Sequence, residues 1–274
     1  MGARIRSWRR IFGRSPDPAR CLEDGAIRLY VWRGVPNLGD TVAAEIVAGL
    51  SGRPVRVVGK RDPRRLLACG SVIHRARGGD IVWGAGSLHP GQVPRGGSID
   101  VRAVRGPKTR AILVGAGFSC PEVYGDPALL LPTIRPRDSR TESGRLGVIP
   151  HYQDRPTLET RLPDLRSSGD ARILDIQGNL DAFLDELMTC ERVVSSSLHG
   201  LVFAEAYGIP AHELRLGDGV RGADHKFEDY YTGTERDRPA PLTPETWHSE
   251  PEWIPPTVDP RLAASFPFPK ETIS

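Results

Sequence analysis

Glu191-Arg-Val-Val-Ser-Ser-Ser197 reads as a buried strand that delivers three hydroxyls, Ser195, Ser196 and Ser197, to a turn, after which Leu198-His199-Gly200 open an apolar helix. The N–H groups and dipole of a helix N-terminus favour an anion such as phosphate or carboxylate. A histidine placed there can give or take a proton near neutral pH, or it can simply pack at the helix start. A second turn, Asn37-Leu-Gly-Asp40, lies between an apolar run and a helical stripe formed by Val42, Ile46, Val47 and Leu50. Asp40 is then either the N-cap of that helix or a carboxylate in the crevice above the strand ends. Arg105, followed by the chain-turning Gly106-Pro107, offers a planar fork for a carboxylate or phosphate, or a surface ion pair. His151 just beyond an apolar run, and Lys226 among Phe227, Tyr230 and Tyr231, complete the set of candidate ligand contacts. In Gly125-Asp-Pro-Ala-Leu-Leu-Leu-Pro132, Asp126 before Pro127 reads as a structural N-cap.

The elements that position these groups alternate short apolar or β-branched runs with helical patterns, as βα units of a mostly parallel sheet do. Strands are expected at 27–32, 55–58, 80–83, 101–104, 112–114, 146–149, 172–175 and 192–195, and a helix at 179–190 capped by Asn179. The polar stretch between Pro132 and Gly144 reads as a linker between two α/β halves, 21–135 and 144–238. A Pro-rich tail, 239–274, is expected to wrap back over the body.

Composition narrows the function. The 274 residues carry a net charge of +3, but residues 1–20 hold +5 of it, leaving the rest at −2. Nucleic acid is therefore not an expected partner, since tracking a phosphate backbone needs a basic face across the fold. Four widely spaced cysteines without a C-x-x-C pair argue against a metal cluster and are expected to be reduced and buried. No apolar run approaches the roughly 20 residues of a spanning helix, and residues 1–14 lack the apolar stretch of a secretory signal, so a cytoplasmic chain is expected. Within 1–14, Ile5, Trp8, Ile11 and Phe12 share a helical face among arginines, a layout that suits either peripheral contact with an anionic membrane surface or a solvated extension. There is no Walker A, G-x-S-x-G or H-E-x-x-H motif.

Taken together, Asn37-Leu-Gly-Asp40, Ala103-Val-Arg-Gly-Pro107, Gly125-Asp-Pro-Ala-Leu129, Gly147-Val-Ile-Pro-His-Tyr152, Ser195-Ser-Ser-Leu-His-Gly200 and Lys226-Phe-Glu-Asp-Tyr-Tyr231 resemble the polysaccharide pyruvyl transferase family, in particular its bacterial exopolysaccharide ketal-pyruvate branch. The resemblance implies a GT-B-like α/β fold, two Rossmann-type domains with mostly parallel sheets facing a central cleft. It implies phosphoenolpyruvate as co-substrate with no further cofactor or metal, and a lipid-linked oligosaccharide acceptor at the cytoplasmic face of the membrane. Carried over residue by residue, the family's functional positions fall on Asp40, Arg105 and His199, with Asn37, Ser195, Ser196, Ser197, Gly200, His151 and Lys226 as substrate contacts. Many members have Arg where this chain has Ser197, which shifts donor binding toward Arg105, Lys226 or His151. The alternative is a GT-B glycosyltransferase using a nucleotide sugar, and a non-enzymatic sugar- or phosphate-binding module is third. The oligomeric state is left open.

Overall fold

The computed structural model describes residues 17–137, 144–217, 220 and 222–270. The basic segment 1–14 and much of the expected linker lie outside them.

Short β-branched and leucine-rich runs form two sheets. In the first, β1 (Leu22–Glu23) makes an antiparallel hairpin with β2 (Ala26–Tyr30), and every further pairing is parallel. β2 lies between β3 (Val55–Val58) and β4 (Leu66–Leu67), and β5 (Ile81–Trp83) and β6 (Asp100–Ala103) follow on the β4 side. The winding therefore reverses direction between β2 and β4. The second sheet is wholly parallel in the order β10-β9-β7-β8, with β7 (Arg145–Ile149), β8 (Ala171–Ile173), β9 (Cys190–Ser195) and β10 (Ala211–Glu213). Its winding reverses between β7 and β9. In sheets wound this way, ligands bind outside the carboxyl ends of the strands at the reversal. Each half of the chain supplies one such point.

The helices follow their apolar spacing. α1 (Leu38–Ser51) buries Val42, Ala43, Ile46 and Val47, and ends at Gly52 in a left-handed conformation, whose N–H donates to the Ala48 carbonyl at 2.8 Å. α4 (Leu180–Leu187) buries Phe183, Leu184 and Leu187, and its Ala182 N–H donates to Asn179 Oδ1 at 3.1 Å. α5 (Leu198–Ala206) is buried on all faces, as a helix without a polar side must be.

Residues 112–114 are not a strand. They belong to α2 (Pro107–Gly115), in which Leu113 is buried while Val114 is exposed. Pro107 presets the first turn, and the Thr109 N–H and hydroxyl both donate to the Asp229 carboxylate of α6 (Ala223–Gly233), at 2.9 and 2.7 Å. Strands β4 and β10 escape the sequence pattern because two or three residues are too short to show a period.

One apolar core runs through both halves and includes Val42, Leu129, Leu131, Leu201 and Phe203. Here the 3₁₀ segment Pro127–Thr133 packs against α1 and α5. The tail returns to the first sheet through α7 (Pro260–Ala264): the Trp83 indole N–H donates to the Leu262 carbonyl at 2.8 Å, and the Phe266 ring lies 4.7 Å from that of Trp83. Among the described residues no helix is long and apolar enough to cross a membrane.

β4 is pinned at its start by a fully buried ion pair, Arg65 Nη2 to Asp80 Oδ2 at 2.6 Å. Asp80 Oδ1 also accepts the Arg65 N–H at 2.9 Å. Arg65→Leu leaves a buried carboxylate without its counter-charge, and urea unfolding is expected to show a loss of about 3–5 kcal/mol.

Candidate functional site

The carboxyl ends of β2, β4, β7 and β9 open onto one cavity of about 360 Å³. Its lining draws on both reversal points: Trp32, Asn37, Asp40, Ser71 and Arg75 from the first half, and His151, Tyr152, Ser197, His199 and Lys226 from the second.

The first turn of α1 is built differently from the simplest expectation. Asn37, not Asp40, is the N-cap, its Oδ1 accepting the Gly39 N–H at 2.8 Å. Asp40 is the third residue of the helix, within its first turn, and is free of the capping role. Burial pushes its carboxyl up to about 6, although the nearby charges of His199 and Lys226 pull the other way. Gly70, at the end of β4 with φ +88°, passes close to this group: a Cβ there would come within 2.6 Å of Asp40 Oδ1.

His199 sits at the second position of α5, and its ring lies directly on Gly39, where a Cβ would overlap the imidazole. Its Nε2 is 3.4 Å from Asp126 Oδ2, close for an ion pair and long for a hydrogen bond, and neither buried atom has a hydrogen-bond partner among the described residues. Burial raises the Asp126 carboxyl, but the His199 charge, with the Ala128 N–H, outweighs it and holds the group below the usual carboxylate range. Asp126 is thus the expected N-cap, its Oδ1 accepting the Ala128 N–H at 3.0 Å, and at the same time the partner of His199. Its local sequence shows only the first role, because Asp126 directly precedes Pro127.

The serines divide. The Ser195 hydroxyl donates to the carbonyls of Ile149 and Ser197, at 2.9 and 2.7 Å, tying β9 to β7, and Ser196 Oγ accepts the His151 N–H at 2.9 Å. Gly200 is buried against Ser195 and Ile149. Of this run only Ser197, Leu198 and His199 reach the cavity.

Arg105 is not an open anion clamp. It is 1% exposed, and its guanidinium is consumed by Asp229 (Nε to Oδ2, 3.0 Å), the Ser87 carbonyl (2.7 Å) and Ser71 Oγ (3.0 Å). It fixes Ser71, which does line the cavity, and joins the first half to α6. Among the described residues, the cationic lining without a carboxylate contact comes from Lys226 and Arg75. Lys226 is buried, and desolvation together with the Arg105 charge lowers it to about 8. Arg75 has a buried Nε without a hydrogen-bond partner, and beside it burial, then the charges of Arg75 and Arg95, bring His74 down to about 4. Neither Arg75 nor His74 carried a signal in the sequence, since an arginine in an Arg-rich chain is unremarkable. His151 is brought to about 3 by burial and by the charges of Lys226 and His199, so its ring is neutral near pH 7.

The arrangement offers a proton-transfer pair, Asp40 and the His199–Asp126 couple, beside two cations and the N-terminus of α5. Among the described residues no group of three or more His, Cys, Asp or Glu is disposed to hold a metal ion.

Residues 97–212 match the family model described as polysaccharide pyruvyl transferase. An uncharacterized protein of Acanthamoeba polyphaga mimivirus is 36% identical over 121 residues, which cover 42% of this chain and 41% of that protein. The chain thus aligns with less than half the length of this curated relative. No solved structure matches.

The contact between His199 and Gly39 is the most demanding in the site. Gly39→Ala is expected to displace the imidazole, cost about 1–3 kcal/mol by overpacking, and move the His199 ring resonances in a proton–nitrogen NMR spectrum.

Proposed function

Because residues 97–212 match the polysaccharide pyruvyl transferase family model, we propose that the chain transfers a pyruvyl group from phosphoenolpyruvate to two hydroxyls of a sugar, forming a cyclic ketal and releasing phosphate. The observation that carries this reading is the convergence, in one cavity, of an acid–base pair with two cations, Lys226 and Arg75, that no carboxylate among the described residues contacts directly.

The chemistry asks for those parts. Phosphoenolpyruvate presents a carboxylate and a phosphate, which Lys226, Arg75 and the N-terminal N–H groups of α5 would bind. Protonation of its methylene carbon makes the neighbouring enol carbon electrophilic. The first sugar hydroxyl adds there as its proton passes to a base, and the second hydroxyl then displaces phosphate with cleavage of the carbon–oxygen bond. The proton gained by the methylene and the two lost by the hydroxyls balance with release of one protonated phosphate. In this scheme His199, oriented by Asp126, is the acid–base group on the donor side, and Asp40 receives the acceptor proton. Arg105 holds Ser71 in place and does not touch the donor.

The proposed setting is a two-domain GT-B-like cleft acting on a lipid-linked oligosaccharide at the cytoplasmic membrane face, with residues 1–14 as the membrane contact. It requires no metal or nucleotide.

Phosphate release from phosphoenolpyruvate in the presence of acceptor is the direct assay, with the ketal identified in the product by NMR. Asp40 must be ionised to accept a proton, so kcat/KM is expected to rise with pH through about 6. Lys226 must keep its proton to bind the donor, so kcat/KM falls as pH rises through about 8. Lys226→Arg is expected to move the alkaline limb upward and leave the acid limb in place. Asp40→Asn and His199→Ala are each expected to lower kcat by a factor on the order of 10²–10⁴. A rate within threefold of wild type for His199→Ala removes it from the chemistry.

A further inference from the structure

The cavity has a second wall that the acid–base scheme leaves unused. Trp32, just beyond β2, and Tyr152, just beyond β7, are half-buried and both line the cavity. Their rings stack at 6.5 Å between centroids with 29° between planes. The Tyr152 ring also lies 4.3 Å from the His151 ring, tilted by 35°, so three aromatic rings cluster at this side of the cavity. The indole of Trp32 is held from behind: it packs on the first-half core, and a Cβ at Gly34 would overlap it. Tyr152 belongs to none of the apolar core clusters.

An uncharged aromatic surface of this kind is one against which the C–H face of a pyranose ring packs, since aromatic side chains supply large rigid area while leaving the sugar's hydroxyls free to bond elsewhere. Its charge character contrasts with the groups that share the cavity. Arg75, Lys226, His199 and Asp40 carry or exchange the charge that suits an anion and proton transfer, whereas Trp32 and Tyr152 are uncharged and contribute mainly ring surface. The two rings also come from different halves of the chain, so a sugar lying across them would bridge both reversal points.

From this division we infer that Trp32 and Tyr152 form the acceptor platform, a subsite on which a pyranose stacks while its hydroxyl pair faces the acid–base groups. The inference rests on the pyruvyl transfer reading for the identity of the donor, but the platform itself can be tested without it. The alternative role for the pair is a latch that merely holds the two halves together.

The probes are methyl α- and β-glycosides of glucose, galactose and mannose, observed by saturation-transfer difference NMR with the full chain. In parallel, the thermal shift with phosphoenolpyruvate is measured for each variant. Wild type and Trp32→Phe are expected to transfer saturation to the ring C–H protons of at least one glycoside, while Trp32→Ala and Tyr152→Ala lower that signal about tenfold and keep the phosphoenolpyruvate shift. With a pyruvyl acceptor in hand, the same alanine variants should raise the acceptor KM about tenfold with kcat within threefold, a loss of uniform binding only. The platform is overturned if no glycoside gives a signal in wild type, or if the signal survives both alanine changes. It is equally overturned if glycoside signal and phosphoenolpyruvate shift vanish together, the mark of a latch. A Trp32-dependent glycoside signal in a protein that shows no phosphoenolpyruvate shift sustains the platform and refutes the donor.

Discussion

The imidazole of His199 rests on the backbone of Gly39, and no side chain fits between them. This contact brings the N-terminus of α5 against the N-terminus of α1, and so sets one sheet's strand ends against the other's. Everything else in the site is arranged around it. Asp126, fixed by capping the apolar 3₁₀ segment Pro127–Thr133, stands at Nε2 of the same ring. Asp40 follows Gly39 by one residue and shares the cavity with the histidine. A chain that folds this way obtains two carboxylates and a histidine in one place without any of them lying near another in sequence.

Electrostatics in so confined a space act by offset rather than by strong pairs. Asp40 is raised by burial and by Asp126, and only partly relieved by His199 and Lys226, which brings it into the range useful to a general base. Lys226 is lowered by burial and by Arg105, with Glu213, Asp154 and Asp40 opposing. Neither forms a salt bridge with another described residue, so both keep capacity for a ligand. Arg105 is the opposite case. Asp229, Ser71 and the Ser87 carbonyl saturate its fork, and its value is structural: a buried guanidinium so paired costs several kcal/mol to disrupt and ties α6, which carries Lys226, to the first sheet.

Much of this was legible in the residues. The βα alternation, the stripe of α1, the cap at Asn179 and the strand-to-helix passage at Ser195-Ser-Ser-Leu-His199 follow from local periodicity and capping chemistry. What was not legible depends on long-range contact. Residues 112–114 are apolar, with β-branched Ile112 and Val114, yet the bonds from Thr109 to Asp229, 120 residues away, favour a helix. Arg105 has the same composition cues whether it faces a ligand or a buried aspartate, and only the position of α6 decides. Asp126 shows its cap in sequence but not its partner, because His199 lies 73 positions further on. Trp32 and Tyr152 belong to unrelated turns, and their adjacency exists only once both sheets are placed.

The central claim is that this cavity takes a small phosphorylated acid rather than a nucleotide. A thermal shift of the purified chain with phosphoenolpyruvate, UDP-sugars and GDP-sugars in parallel tests it most directly, since a ligand at 100 times its Kd adds about 2.7 kcal/mol of stability and no acceptor need be known. The account predicts stabilisation by phosphoenolpyruvate alone, lost in Lys226→Met and Arg75→Met. Stabilisation by a nucleotide sugar alone would contradict it, and would make the shared sequence pattern one of fold rather than of chemistry.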